Sequence, residues 1–411
     1  MLSLANFGQE NRRMIVESHY PGTFIFGCGA IGTVRNALLR LGGKRPIVFA
    51  DDGIRGSGLS DQLIEKLSLP SGLFSGFSGE PTLQLADSAA RNIREGGYDS
   101  VIAIGGGSTL DLGKVAALLA TNKGKISDYF TTKREHSSLP KILIPTTAGS
   151  GSETSSSAVI KCDDGIKRFV VGDDLVADVA IVDSNLTRSC PREVAAATGI
   201  DVLSTGLEAY LSKRATPFSD AYAVETIDLA LRCLEKSVAN ADDAEALDGM
   251  SLAASLSGFA SSTPADVNIC HCIAETIGPM FDIAHGRAVA TILPFMVQFN
   301  FEASQGRLRL LAHRLGLRDE RILVLRITEL VRALGFSTGF RQLGVPRDAL
   351  EQTAKLIFDQ RQYEYLLPEI NPAPITFAGL LKLLEDCWNG VDIDILGEHV
   401  VQATDGKHAR H

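Results

Sequence analysis

The 411-residue chain predicts an α/β fold followed by an all-α part, with a cleft between the two. Before about residue 190, short β-branched runs end in Gly-rich or polar turns and alternate with amphipathic stretches, which is typical of a parallel sheet with crossover helices. After Pro191 such runs stop, and long helical patterns follow one another. We therefore expect a Rossmann-like domain over 1–190 and a helical domain over 191–411.

Three strands and three helices support the first part of this prediction. Each strand is a short apolar run, and two of them end in Gly-rich turns, as a buried parallel strand requires. The predicted strands are 45–50, 101–104 and 142–145, and the predicted helices are 30–42, 81–96 and 112–120. In the second part the predicted helices are 192–213, 219–239, 244–260, 268–278 and 286–299.

Composition excludes several classes of protein. The chain is 45% hydrophobic and 22% charged with a net charge of −9, so it is neither disordered nor basic enough to bind nucleic acid electrostatically. No apolar run is long enough to span a membrane, and the start MLSLANFGQENRRM lacks the apolar core of a signal peptide. The seven cysteines are scattered without a CxxC pair, which is typical of free thiols in a reducing compartment. We expect a cytoplasmic protein with a small-molecule substrate.

One Gly-rich turn is a candidate phosphate site. Gly105, Gly106, Gly107 and Ser108 follow a predicted strand and precede a helix, with Asp111 shortly after. Glycines let the backbone approach a phosphate, and the start of a helix offers N–H groups and the positive end of its dipole. The spacing is not that of the common GxGxxG motif, and such a turn can also be purely structural.

Two further features suit a dinucleotide. The loop 145–153 carries Thr146, Thr147 and Ser152 among glycines, a composition that suits phosphate or ribose. Asp51 ends the first predicted strand, where a carboxylate can accept the ribose hydroxyls and repel a 2′-phosphate, favouring NAD. Each feature also has an ordinary structural interpretation, as a polar loop or a solvated turn.

The helical part carries a group of residues typical of a metal site. Asp201 and Thr205 are four residues apart and share a helix face, as do His271 and Glu275. His285 begins a third helical run. One carboxylate and two imidazoles on separate elements can bind a divalent cation and leave a position open for substrate.

The sequence resembles the iron-containing (group III) alcohol dehydrogenase family along nearly its whole length. The segments that carry the resemblance are FGCGA (26–30), GGGS (105–108), PTTAGSGSE (145–153), TGIDVL (198–203) and HGRA (285–288). The resemblance implies a dinucleotide-binding α/β domain, a helical metal domain and hydride transfer between a nicotinamide cofactor and an alcohol/aldehyde pair. It further implies NAD(H), Fe²⁺ or Zn²⁺, and a homodimer.

Two positions depart from the family pattern of one aspartate and three histidines. Asp201, His271 and His285 match three ligand positions, whereas Thr205 stands where the fourth ligand would be. Glu275 replaces a family histidine near the nicotinamide. Three arrangements stay open: a three-ligand metal site, Glu275 as a substitute ligand, or no metal. The resemblance implies the last because some relatives, such as maleylacetate reductases, work without metal.

The resemblance also assigns roles. His271, Glu275 and His285 are expected to be catalytic, and Arg168 lies where the family often carries a cofactor-side lysine. Without metal, His271 or His285 could polarise the carbonyl and supply the proton. The function expected is an NAD(P)-dependent alcohol dehydrogenase or aldehyde reductase. The alternatives are a phosphonoacetaldehyde-type reductase and a carbocycle-synthase-like lyase that uses NAD catalytically.

Overall fold

The computed structural model of the protein describes residues 19–131 and 134–390. These residues form eight β-strands: β1 (Thr23–Phe26), β2 (Pro46–Phe49), β3 (Gly72–Phe74), β4 (Ser100–Gly105), β5 (Lys141–Pro145), β6 (Ser157–Lys161), β7 (Lys167–Val171) and β8 (Val179–Val182). The α-helices of the first half are α1 (Val34–Arg40), α2 (Asp52–Gly56), α3 (Leu59–Leu67), α4 (Leu83–Gly96) and α5 (Gly107–Thr121).

Helices alone make up the second half of the described chain. They are α6 (Arg192–Leu211), α7 (Pro217–Ala239), α8 (Ala244–Ser261), α9 (Ile269–Phe281), α10 (His285–Phe299), α11 (Phe301–Arg314), α12 (Glu320–Ala333), α13 (Ala349–Leu356), α14 (Gln362–Glu364), α15 (Leu367–Ile370) and α16 (Phe377–Asn389). A π-helical turn, Ile357–Arg361, joins α13 to α14.

Six strands form a parallel sheet in the order β1-β8-β5-β4-β2-β3. The three strands predicted from sequence are neighbours in it, and every residue of β2, β4, β5 and β8 is buried. Separate apolar clusters cover the two faces, as a parallel sheet with crossover helices requires. The predicted fold class is confirmed. The strands β6 and β7 form a separate antiparallel hairpin.

The predicted helices occur, with shifts at their ends. Helix α5 begins at Gly107, not at Leu112 as predicted, because Gly106 takes an extended conformation and caps a helix whose first turn is the Gly-rich segment itself. Helix α7 begins at Pro217, after Thr216 caps its first turn. Helix α9 continues through Pro279 to Phe281.

All described strands end by Val182, and α6 begins at Arg192. The division of the chain at residue 190 stays a prediction, and the outer ends of its two domains, 1–18 and 391–411, lie outside the described residues. Among the residues that are described, no helix is long and apolar enough to cross a membrane.

Candidate active site

Two loops that the sequence predicts separately meet at the carboxyl edge of the sheet. The strands β4 and β5 pair in register, so Gly105 lies opposite Pro145, and the Gly105 carbonyl accepts a hydrogen bond from the Thr146 amide at 2.9 Å. A Cβ atom on Gly107 would lie 2.6 Å from the Ser150 hydroxyl oxygen. Glycine is therefore required for the close approach of the two loops. We call these loops, 105–108 and 145–153, together with Asp51, the cofactor edge.

Asp51 ties this edge together. Its side chain caps the start of α2 by accepting a hydrogen bond from the Ile54 amide at 2.9 Å. Its second carboxylate oxygen accepts one from the Thr109 hydroxyl at 3.0 Å, which links the end of β2 to the first turn of α5. The carboxylate is half-buried. Each of its oxygens can accept a further hydrogen bond, so these contacts leave room for a ribose hydroxyl.

Two predicted cofactor residues bond to each other instead of facing open space. Both Asp111 and Ser152 are buried, and the Ser152 hydroxyl donates to one Asp111 oxygen at 2.6 Å. The other Asp111 oxygen accepts from the Val159 amide at 3.0 Å. The Lys114 ammonium lies 3.8 Å from the oxygen that accepts from Ser152. This network fixes the loop 145–153 and the start of β6 against α5. It supports the cofactor edge on the side of α5 and β6.

The other predicted cofactor residues differ in exposure. Ser108 and Thr147 are half-buried at the cofactor edge, and Thr146 is buried. Arg168 lies on β7 and forms an ion pair with Asp164 at 2.7 Å. Both side chains are partly exposed, as in a solvated surface pair, and a role of Arg168 in cofactor binding stays a prediction.

Three side chains converge from three helices of the second half. Asp201 lies on α6, His271 on α9 and His285 at the first position of α10. One Asp201 oxygen lies 3.2 Å from His271 Nε2 and 3.5 Å from His285 Nε2, and one ligand atom from each residue falls within 4.8 Å of the others. We call Asp201, His271 and His285 the metal cluster.

The metal cluster fits a divalent cation. Ligands of a tetrahedral zinc ion bonded at about 2.1 Å are about 3.4 Å apart, close to both separations. The Asp201 Oδ1 atom is buried with no hydrogen-bond partner among the described residues. His271 Nδ1 is hydrogen-bonded to the Glu208 carboxylate, so in the neutral tautomer Nε2 turns a lone pair toward Asp201. Two electron-rich atoms at this distance require a cation between them, either a metal ion or a proton.

Glu208, which lies in a segment that resembles the family but had no predicted role, holds His271 in place. It is fully buried two turns after Asp201 on α6. One of its oxygens bonds His271 Nδ1, and the other accepts from the backbone amides of Asn268 at 3.1 Å and Cys270 at 2.7 Å. A carboxylate behind a ligating histidine sets the tautomer and ring orientation. The i, i+7 spacing from Asp201 places it on the same face of α6 and is a signal for such a supporting role.

Charge in this cluster is balanced without any lysine or arginine bonded to it among the described residues. Burial lowers the pKa of His271, but the carboxylates of Glu208 and Asp201 outweigh burial and hold it well above its usual value. Burial raises the pKa of Asp201, and the two histidines reverse that effect and hold it well below its usual value. The ligand set therefore favours a positive charge at its centre.

The two departures from the family pattern lie one helical turn from the ligands. Thr205 is buried on α6, one turn after Asp201, and leaves the fourth position without a nitrogen ligand. Glu275 is buried on α9, one turn after His271, and its carboxylate accepts a short hydrogen bond from the Tyr365 hydroxyl. Glu275 is not part of the metal cluster. The sequence interpretation missed Tyr365, which lies 90 residues away along the chain.

The cysteines beside His271 are structural. Cys270 and Cys272 are both buried, and neither joins a candidate metal group in the described residues. Burial raises the pKa of both thiols. They fill the apolar core of the helical half.

Comparison with known proteins gives consistent results. The family model for iron-containing alcohol dehydrogenase matches residues 21–184, and that for the C-terminal domain of the same family matches 195–388. Long-chain-alcohol dehydrogenase 1 of Geobacillus thermodenitrificans is 35% identical, over 91% of this chain and 97% of its own. The NAD-dependent methanol dehydrogenase of Bacillus methanolicus is 29% identical, over 89% and 98%. The crystal structure of sulfoacetaldehyde reductase from Bifidobacterium kashiwanohense in complex with NAD⁺ superposes with a TM-score of 0.85 at 28% identity, over 90% and 98%.

Proposed function

The chain belongs to the iron-containing alcohol dehydrogenase family and is an NAD-dependent oxidoreductase of alcohols and aldehydes, and we propose that it works with a divalent metal held by Asp201, His271 and His285. The observation that carries the proposal is the convergence of two imidazole nitrogens on a buried Asp201 oxygen with no hydrogen-bond partner. Two imidazoles and one carboxylate suit both Fe²⁺ and Zn²⁺. Thr205 leaves an open position for a substrate oxygen.

When bound, such a metal supplies Lewis-acid stabilisation of the negative charge that develops on the substrate oxygen during hydride transfer. The protein supplies the geometry. Glu208 fixes His271 so that Nε2 faces Asp201, and the cofactor edge offers the start of α5 and two glycine-containing loops to the dinucleotide phosphates. In the reducing direction an aldehyde, NADH and a proton yield an alcohol and NAD⁺.

The alternative to a metal at the centre of the cluster is a proton. With a proton there, His271 is an imidazolium between two carboxylates and can polarise the carbonyl itself. The geometry favours the metal. His271 Nε2 lies 3.2 Å from the Asp201 oxygen, yet the two atoms are not aligned as a hydrogen bond requires.

Elemental analysis combined with an aldehyde panel tests the proposal. We expect the purified protein to hold about one Fe²⁺ or Zn²⁺ per chain, to oxidise NADH stoichiometrically with an aldehyde, and to lose activity on chelation and regain it with metal. A metal-free enzyme with full activity would refute the metal and leave the oxidoreductase. Turnover in which NAD is only catalytic would favour the carbocycle-synthase alternative.

A further inference from the structure

Glu275 is a buried carboxylate without a cation of its own. Its hydrogen-bond partner is the Tyr365 hydroxyl, and no lysine or arginine nitrogen lies within 4 Å of it among residues 19–131 and 134–390. The nearby cation Arg361 is paired with Glu364 and stacks over the Tyr365 ring at 5.3 Å. The Tyr365 hydroxyl donates to Glu275, a bond that stabilises the ionised carboxylate, and water screens a charge poorly in this buried place.

The position of Glu275 is close to where the substrate must react. It follows His271 by four residues on α9, so their side chains are neighbours about 6 Å apart at Cβ. On the other side, Phe169 of β7 packs edge-on against Tyr365 with ring centroids 5.7 Å apart. Burial is the main cause that raises the pKa of Asp111 on α5, and the charge of Glu275 adds a smaller effect in the same direction. The Glu275–Tyr365 pair therefore lies where the α/β half meets the helical half, beside the metal cluster.

If the aldehyde oxygen reaches the metal cluster, a substituent that extends along α9 toward residue 275 lies beside this carboxylate. A second anionic group within two or three bonds of the carbonyl would lie within several ångströms of Glu275. Like charges at such distances repel strongly in a poorly screened site. A neutral chain avoids this repulsion, and a cationic group is attracted.

We propose that Glu275, held by Tyr365, selects substrates by charge and excludes aldehydes that carry a carboxylate, sulfonate or phosphonate beside the carbonyl. The inference rests on the proposed function, since it assumes that the carbonyl reacts at the metal cluster. It deepens that function by assigning the substrate class: neutral or cationic alcohols and aldehydes. Tyr365 is the positioning residue, because it fixes the carboxylate without being placed to touch the carbonyl.

Three short aldehydes of similar length and different charge test the inference: butanal, sulfoacetaldehyde and betaine aldehyde. In the unmodified enzyme with NADH we expect kcat/KM to be on the order of 10- to 100-fold lower for sulfoacetaldehyde than for butanal. In Glu275→Gln this ratio should move toward one, and the advantage of betaine aldehyde should fall by a similar factor. Because each value is a ratio between substrates, a general loss of activity or of folded enzyme does not affect it.

Two further variants complete the test. Glu320→Gln removes a buried carboxylate of α12 that is paired with Arg309, and we expect it to leave the ratios unchanged. Tyr365→Phe keeps the charge and should keep most of the selection, with a change in KM. Equal loss of rate for all three aldehydes in Glu275→Gln, or preference of the unmodified enzyme for sulfoacetaldehyde, would overturn the inference and leave the proposed function. Absence of NADH oxidation with every aldehyde would overturn both.

Discussion

The cofactor edge and the metal cluster are built in opposite ways. At the cofactor edge the chain itself makes the site: two strands in register bring two contiguous loops together, and their buried polar groups bond to one another, as Asp111 and Ser152 do. The metal cluster takes one side chain from each of three helices and leaves Asp201 Oδ1 without a hydrogen bond. The first region is complete without a ligand, whereas the second needs a cation. This difference predicts that variants will separate cofactor binding from metal binding.

Removing a ligand should give the largest effect and the clearest separation of metal binding from NAD binding. We expect His271→Ala and His285→Ala each to lose bound metal and to lower kcat/KM by on the order of 10³-fold or more, because the charge that stabilises the substrate oxygen is lost. NAD binding should change little, since we assign it to the cofactor edge in the other half. Metal content, steady-state rates and NAD titration measure these outcomes.

A matched control removes a histidine outside the cluster. His313→Ala, on the exposed side of α11, should keep both metal and activity. If both cluster variants keep near-normal activity, the site assignment is wrong. If they lose activity while the unmodified protein is active without metal, the imidazolium mechanism replaces the metal.

The carboxylate behind His271 should give the next largest effect. Glu208→Gln keeps the size of the side chain but removes the charge that orients the imidazole. We expect metal affinity to fall about 10- to 100-fold, the usual cost of losing such a partner. Titration with a competing chelator measures the affinity, and activity should recover at saturating metal. An unchanged affinity would mean that the Glu208–His271 bond does not tune the metal.

Local sequence pattern alone indicated the loops of the cofactor edge, whereas the metal cluster needed residue type and the family resemblance, and the reason is contact distance along the chain. The loop residues 105–108 and 145–153 are contiguous and follow predicted strands, so the sheet edge could be inferred before the structure. The ligands Asp201, His271 and His285 came from residue type and from the family resemblance. No role was predicted for Glu208 or Tyr365, because a buried partner 63 or 90 residues away leaves no local pattern.

A fourth ligand should increase the metal affinity of the cluster and so widen the difference between the two regions. Thr205→His places an imidazole one turn after Asp201 on α6, where the family has its fourth ligand. We expect metal to be retained on the order of tenfold more tightly during dialysis, because ligand number and geometry set affinity. Thr205→Val, of similar size and without a nitrogen, is the matched control. Equal retention in the histidine variant and the unmodified protein would show that position 205 does not face the metal.

The smallest effect is expected at Asp51, where the cofactor edge combines a structural and a recognition role. Asp51→Asn keeps a side-chain oxygen for the Ile54 amide, so the cap of α2 and the folding stability should be kept, whereas Asp51→Ala should lower the free energy of unfolding by about 1 kcal/mol.

Both variants remove the charge that would repel the 2′-phosphate of NADP. We expect the unmodified enzyme to prefer NADH, and the ratio of kcat/KM for NADPH to that for NADH to rise about fivefold in both variants, as one partly screened charge predicts. The metal content should not change in either. Equal use of both cofactors by the unmodified enzyme would mean that Asp51 does not select the cofactor. A ratio that rises only in Asp51→Ala would mean that the structure of the loop, and not the charge, sets the preference.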